Sequence, residues 1–202
     1  MKDEMDILRE VGSISAAHGS IALSEILGRR IKLPMPSLDF IPSGMIMDKL
    51  IPTQVVVGVY GHILTGLKGN ILFVLDEKSA FKLVDMCYKV NPADKKSGIL
   101  TEMGLSVIKE VGNVVIASYI GALSMILKTL IIPSIPTLMS GPIQQIMHVA
   151  ISSYDAEEYF LLVETVFEEP NEKITGSFYL ILNPEATEYI QDTCKKYLNS
   201  DK

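Results

Sequence analysis

Asp6-Ile-Leu-Arg-Glu10-Val-Gly-Ser13 and Ser106-Val-Ile-Lys-Glu110-Val-Gly-Asn113 are two versions of one segment, 100 residues apart. Aligned without a gap, residues 6–38 and 106–138 share 12 identities in 33 positions, whereas unrelated sequences would share roughly two. The chain therefore contains an internal duplication. The identical pairs include Glu10/Glu110, Gly12/Gly112, Ala17/Ala117 and Pro36/Pro136.

Each copy predicts a helix, about three antiparallel strands and a second helix. Apolar residues recur at helical spacing in some segments, and β-branched or aromatic runs fill others. The predicted helices cover about 4–29, 76–89, 101–128 and 184–198, and the predicted strands 54–60, 70–75, 145–153, 159–168 and 174–182. Asn183-Pro184-Glu185 has the residue order of a helix start, with Asn as the N-cap.

The two copies predict one domain rather than two. Gly69–Asp76 aligns with Gly176–Asn183 at an offset of 107, so copy 2 has gained seven residues, or copy 1 has lost them, within a strand connection. Residues 91–98 form a turn-rich linker. A half of about 95 residues would expose too much apolar surface alone. We therefore expect a single α+β domain over residues 1–202, with pseudo-twofold repeats at about 4–90 and 101–199.

Composition excludes several classes of function. The net charge is -6 and the pI near 5.1, without the basic stripe that a nucleic-acid surface needs. The N-terminus lacks the apolar stretch of a signal peptide, which favours the cytoplasm. In that reducing compartment we expect Cys87 and Cys194 to be packing residues rather than a disulfide. No metal-ligand spacing is present among the cysteines and the isolated histidines His18, His62 and His148.

The run from Asn113 to Leu127 is nearly uncharged and long enough to suggest a membrane span. The repeat argues against that interpretation. The matching element of copy 1 carries His18, Glu25 and Arg29, so the shared design is a soluble helix. We therefore expect a buried helix and no membrane insertion.

Polar residues stand at matching places in both copies. Glu110 and Asn113 are three residues apart and share one helix face, although two such residues alone could be a solvated helix end. The longer patterns Asp6-x3-Glu10-x2-Ser13-x22-Pro36 and Ser106-x3-Glu110-x2-Asn113-x22-Pro136 resemble the CheC/CheX/FliY family of chemotaxis phosphatases. Its motif, Asp/Ser-x3-Glu-x2-Asn-x22-Pro, occurs twice in CheC proteins. Copy 2 matches throughout, whereas Ser13 replaces Asn in copy 1.

This resemblance implies hydrolysis of the aspartyl phosphate of a CheY-type response regulator. In the family, the Glu holds the regulator through a lysine near its phosphoaspartate, and the Asn positions the attacking water. The regulator brings its own Mg²⁺, so no cofactor is expected on this chain. By this carry-over Glu110 and Asn113 are the catalytic pair, and Glu10 and Ser13 a secondary, degenerate site. Ser13 can hydrogen-bond water, but its hydroxyl lies nearer the backbone than an Asn amide.

Other interpretations remain open. The chain could be a non-catalytic adaptor that binds phosphorylated CheY or regulates a CheD-type receptor deamidase. A third interpretation is a flagellar switch component of the FliY/FliM kind, although those proteins usually have additional segments at both ends. The comparison with CheX is less apt, because CheX carries one site per chain and acts as a dimer. Since duplication supplies an internal pseudo-dimer here, a monomer would suffice. His18 is a second departure from CheC-like first helices, which often carry Asn at that place, and we expect it at the surface or in a helix contact.

Overall fold

The computed structural model describes residues 2–42, 44–45, 48, 54–88, 101–152 and 159–200. It combines long helices with an antiparallel sheet, which confirms the predicted α+β class. The helices are α1 (Lys2–Leu27), α2 (Glu77–Tyr88), α3 (Glu102–Leu127), α4 (Ile143–Ile151) and α5 (Pro184–Ser200). The strands are β1 (Ser37–Pro42), β2 (Val55–Thr65), β3 (Gly69–Asp76), β4 (Ile132–Pro133), β5 (Thr137–Pro142), β6 (Tyr159–Glu169) and β7 (Ile174–Leu182).

The strands of the two repeats are interleaved in one sheet. Its order is β1-β6-β7-β3-β2, and β4 and β5 both pair with the far side of β2. Every pairing is antiparallel. The first strand of each repeat therefore pairs with a strand of the other repeat: β1 lies beside β6, and β5 lies beside β2.

The strand register shows the pseudo-twofold relation residue by residue. Leu72 pairs with Tyr179, which is its own repeat equivalent at the offset of 107. Leu75 pairs with Val57, and its equivalent Leu182 pairs with Leu161. The offset from β2 to β6 is therefore 161 − 57 = 104. Since 104 − 100 = 4 and 107 − 104 = 3, four of the seven extra residues precede β6 and three lie in the β6–β7 turn.

The strand predicted at 145–153 is wrong over its described part, because residues 143–151 form helix α4. The buried residues of this segment are spaced three or four apart, and a half-buried strand would bury every second one. They are Ile143, Ile146, Met147, Ala150 and Ile151. Strands β1, β4 and β5 were not predicted as strands, and they lie in the passages after Pro34, Ile131 and Pro136. The predicted linker at 91–98 is outside the described residues.

The sheet carries an apolar core on each face. On one face, α1, α2, α3 and α5 cover the larger core. Three phenylalanine rings cluster at its centre. The ring of Phe73 is stacked on that of Phe167 at 5.5 Å, and the ring of Phe178 is tilted against that of Phe167 at 5.1 Å. On the other face, α4 packs against Leu72, Val74 and neighbouring residues.

Helix α3 is long and apolar enough to cross a membrane by length and composition, and half of its most apolar window is buried within the protein. Its buried residues include Ile108, Val115, Ile116 and Leu123, which belong to the larger core. The uncharged run predicted to be a buried helix is therefore a core helix of this fold.

Polar side chains begin three of the helices. The Asn183 Oδ1 accepts a hydrogen bond from the Ala186 backbone N–H at 2.9 Å, which confirms the predicted N-cap. The Asp76 Oδ1 accepts from the Ser79 N–H at 2.8 Å, in the equivalent place of the first repeat. Thr101 begins α3 in the same way. Each of these bonds satisfies one of the free N–H groups of a first helical turn.

Candidate functional site on helices α1 and α3

The glycine shared by both motifs sets each helix against its strand. A Cβ added at Gly112 would lie 2.5 Å from a methyl carbon of Val59, and one added at Gly12 would lie 3.0 Å from a methyl carbon of Val163. Val59 and Val163 are themselves repeat equivalents at the offset of 104. Each motif therefore stands directly above a strand valine, and the glycine provides the necessary close approach.

The two helices run in opposite directions across the sheet. Gly12 lies over β6 and Gly112 over β2, on the two flanks of the sheet. Farther along α1, a Cβ on Gly19 would lie 3.5 Å from the Val115 carbonyl oxygen and 3.6 Å from the Phe178 ring of the central strand β7. Both helices thus start at a flank and meet near the centre, which places the two motifs at opposite ends of the helix pair.

The second motif presents its polar side chains to solvent. Glu110 and Asn113 are exposed, while Val111 and Gly112 between them are buried. Within the part of the chain that the structure describes, neither side chain has a hydrogen-bond or ion-pair partner in the protein. A carboxylate and an amide on one helix face are thus available to a ligand or a bound protein. Ser106, at the first motif position, instead donates to the Glu102 carbonyl oxygen at 2.9 Å.

The first motif has the same backbone setting and a shorter polar group. Glu10 is exposed and Ser13 is half-buried. Asp6, the first motif residue, forms an ion pair with Arg9 at 3.0 Å. The motif proline has a structural place, because Pro36 packs 3.8 Å from the position of a Cβ on Gly12.

The residue at the same level of the other helix differs between the two sites, a difference that the sequence alone did not predict. Counting along the antiparallel helices from the Gly19–Val115 contact places Ile21 at the level of Asn113 and Gly121 at the level of Ser13. Ile21 is exposed, and a Cβ on Gly121 would meet nothing within 4 Å. At the level of Asn113 the other helix thus carries an exposed isoleucine, whereas at the level of Ser13 it carries an exposed glycine. The 100-residue alignment contains this difference, but only the helix direction makes it visible.

The remaining candidate residues, one histidine and two cysteines, do not belong to either motif. His18 is exposed on α1, as expected. Cys87 and Cys194 are half-buried free thiols, and burial raises the pKa of each, which lowers the fraction of reactive thiolate. Among the described residues, no group of three His, Cys, Asp or Glu side chains could hold a metal ion.

Comparison with known proteins gives a consistent set of relatives, although no protein-family model matches the chain. The chain is 27% identical to the CheY-P phosphatase CheC of Bacillus subtilis (strain 168) over 136 residues, which are 67% of this chain and 65% of CheC. The match thus spans slightly less than two thirds of that relative.

Solved structures share the fold over nearly the whole chain. The crystal structure of Thermotoga maritima FliY has a TM-score of 0.75 and 22% identity, and the match covers 97% of this chain and 98% of FliY. CheX from Borrelia burgdorferi, crystallised with CheY, BeF3 and Mg²⁺, gives a TM-score of 0.54 and 19% identity over 86% of this chain and 96% of the matched chain. The resemblance inferred from the two motifs is confirmed.

Proposed function

We propose that this chain, a relative of the CheC/CheX/FliY proteins, hydrolyses the aspartyl phosphate of a CheY-type response regulator. Glu110 docks the regulator, and Asn113 orients the attacking water. The observation that carries the proposal is that these two side chains are exposed on one helix face, without protein partners among the described residues, at the positions of a repeated motif.

The chemistry asks little of the phosphatase beyond positioning. An aspartyl phosphate is an acyl phosphate and already labile, and the regulator's own Mg²⁺ neutralises charge on the phosphoryl oxygens. The attacking water must lie in line with phosphorus and be separated from bulk solvent. A neutral amide both donates and accepts hydrogen bonds, so Asn113 can hold water without repelling the anionic phosphoryl group. The chain then needs no metal or cofactor of its own.

The first motif is better suited to binding than to catalysis. Glu10 retains the docking carboxylate, while Ser13 offers a shorter hydroxyl in place of the amide. We therefore assign most of the activity to the second site. A motif that keeps the docking Glu but lacks the Asn favours a second function. In it, the chain holds phosphorylated regulator as an adaptor or regulates a CheD-type deamidase.

The proposed setting is the cytoplasm, where a response regulator would be available as substrate. One chain carries both sites, so hydrolysis does not require a second copy. The CheX–CheY complex from Borrelia burgdorferi is a precedent for a regulator bound to a protein of this fold, and the B. subtilis relative is named for phosphatase activity on CheY-P.

The direct test is the decay of purified phosphorylated regulator with and without an equimolar amount of the chain. We expect faster phosphate release, abolished in large part by Asn113→Ala and weakened at low regulator concentration by Glu110→Ala. Unchanged decay together with measurable binding would support the adaptor function instead. The absence of both effects would overturn both proposals.

A further inference from the structure

The two motifs open to the same outer surface of the molecule. Gly12 lies against Val163 and Gly112 against Val59, and both valines belong to the larger core on one face of the sheet. The polar side chains beside these glycines are accessible on the solvent side of the helices. They are Glu10, Ser13, Glu110 and Asn113, of which only Ser13 is half-buried. A protein bound at either site therefore covers the same layer of helices.

The motifs are close together on the scale of a protein partner, although they lie toward opposite ends of the helix pair. Val163 pairs with Leu180, which pairs with Ile71. Ile71 pairs with Gly61, two residues along β2 from Val59. Three strand spacings of about 4.8 Å and two residues of about 3.4 Å each place the two valines roughly 16 Å apart. The motif glycines that rest on them have a similar separation.

The helix pair gives the same value independently. Counting from the Gly19–Val115 contact places Ala22 of α1 at the level of Gly112. Gly12 is ten residues from Ala22, which corresponds to about 15 Å along the helix axis. With about 9 Å between the axes of packed helices, the two glycines are roughly 17 Å apart. Sheet register and helix geometry therefore agree.

A response regulator is wider than this separation. A compact domain of about 100 residues has a radius of gyration of about 13 Å, and a sphere with that value has a diameter of roughly 34 Å. Two such domains on one surface, with contact points about 16 Å apart, would overlap over about half of their width. The motifs are therefore parts of one docking surface rather than two independent surfaces.

We propose that the two sites exclude each other, so that one chain binds one phosphorylated regulator at a time in either of two orientations. This inference rests on the proposed function. A regulator docked at Glu110 presents its phosphoryl group to Asn113 and is hydrolysed. A regulator docked at Glu10 presents it to Ser13, is hydrolysed slowly, and blocks the second site for as long as it stays bound.

The first site thus acts as a built-in competitor of the second. Both docking carboxylates are present, so the two orientations have similar affinities and about half of the bound regulator is held unproductively. The competing orientation tightens apparent binding by the same factor by which it lowers the productive fraction. It therefore lowers kcat and KM together and leaves kcat/KM unchanged. Hydrolysis is fully efficient at low regulator concentration and is limited by the first site at high concentration.

Removing the first docking carboxylate should accordingly speed phosphate release at saturation. We expect Glu10→Ala to raise kcat and KM together by about twofold, with kcat/KM unchanged. Asp192→Ala, an exposed carboxylate on α5, is the matched control and should alter none of the three. Thermal unfolding within about 2 °C of wild type checks that each variant is folded. An unchanged or lowered kcat in Glu10→Ala would overturn the proposal.

The opposite substitution gives a larger effect. Glu110→Ala should weaken the productive orientation about tenfold, as expected for the loss of one charge-assisted hydrogen bond. Regulator then fills the first site, so kcat should fall about fivefold and excess regulator should not restore it. Adding Glu10→Ala should return kcat to the wild-type value at a higher KM. If excess regulator restores the rate of Glu110→Ala alone, the sites are independent and the proposal is wrong.

The stoichiometry of binding separates this inference from the proposed function. The probe is the regulator with Mg²⁺ and BeF3, the combination crystallised in the CheX–CheY complex, in which BeF3 stands in for the phosphoryl group. Calorimetric titration should give one regulator per chain for wild type, Glu10→Ala and Glu110→Ala, and about tenfold weaker binding when both are replaced.

The other outcomes of the titration are equally informative. Two regulators on each wild-type chain would overturn mutual exclusion and leave the phosphatase proposal intact. Loss of binding in Glu110→Ala alone would show that the first site does not hold the regulator, which also overturns the inference. A wild-type chain that neither binds the regulator nor speeds phosphate release would overturn the proposed function, and this inference with it.

Discussion

Replacing the Asn113 amide should remove most of the phosphatase activity and reveal how much the first site contributes. Asn113→Ala deletes the proposed water-orienting group but leaves Glu110 to dock the regulator. Because Asn113 is exposed and makes no hydrogen bond to the described protein residues, its removal should not destabilise the fold. The remaining rate then measures the site that contains Ser13.

The expected loss of rate follows from the difference in length between the Ser and Asn side chains. An Asn amide ends one bond farther from the Cβ than a Ser hydroxyl does, so Ser13 falls short by about 1.5 Å. A misplacement of about 1 Å can cost about 100-fold in rate. We therefore expect Asn113→Ala to retain roughly 1% of the wild-type rate, a loss of about 2.7 kcal/mol in transition-state stabilisation.

Restoring the amide at the first site is the complementary experiment. In the Asn113→Ala background, Ser13→Asn should raise the rate at least about tenfold, since one positioned group contributes on that scale.

The assay is phosphate release from purified phosphorylated regulator, measured under single-turnover and steady-state conditions. Asp192→Ala, an exposed carboxylate on α5, is the control and should leave the rate unchanged. If Asn113→Ala keeps more than half of the activity, the assignment of the second site is wrong. If Ser13→Asn adds nothing in the Asn113→Ala background, the account of the first site fails.

Three further predictions concern the fold. Gly112→Ala should lower the free energy of unfolding by about 1–3 kcal/mol, because its Cβ would overlap Val59, whereas Gly121→Ala should raise it by up to about 1 kcal/mol through helix propensity; urea titration measures both. The buried Thr165 Oγ1 has no hydrogen-bond partner among the described residues, so Thr165→Val should stabilise the chain by about 1 kcal/mol, and a loss would indicate a partner such as water. Burial raises the pKa of the Tyr119 hydroxyl. The stability that buried, neutral Tyr119 contributes is therefore complete below the ordinary tyrosine pKa of about 10 and is lost as the pH rises above it. The ultraviolet absorbance of phenolate should show that Tyr119 ionises only when the chain unfolds at alkaline pH.

The sequence predicted the elements that have a strong local signal. The aligned motifs located α1 and α3, and the Asn183-Pro184-Glu185 start located α5. The repeat also predicted that Glu110 and Asn113 would share one face. These features depend on residues close in sequence, so periodicity and capping chemistry suffice.

What the sequence did not predict depends on pairing between distant segments. Nothing local indicates that β1 lies beside β6 instead of beside a strand of its own repeat. That Ile21 lies at the level of Asn113 could be identified only after the helix direction was known. Helix α4 is a different case, since its helical spacing was present at Ile143, Ile146 and Met147, and apolar content was interpreted as a strand.

The pairing of Leu72 with Tyr179 has a consequence for how such a chain can change. In a dimer of two identical halves, this position would face itself, and every substitution would appear twice in the assembly. Joining the halves into one chain removes that constraint, because each position and its equivalent are encoded separately. Ser13 could replace the amide at one site while Asn113 was kept. Covalent fusion thus allows the two halves of a symmetric fold to acquire different functions.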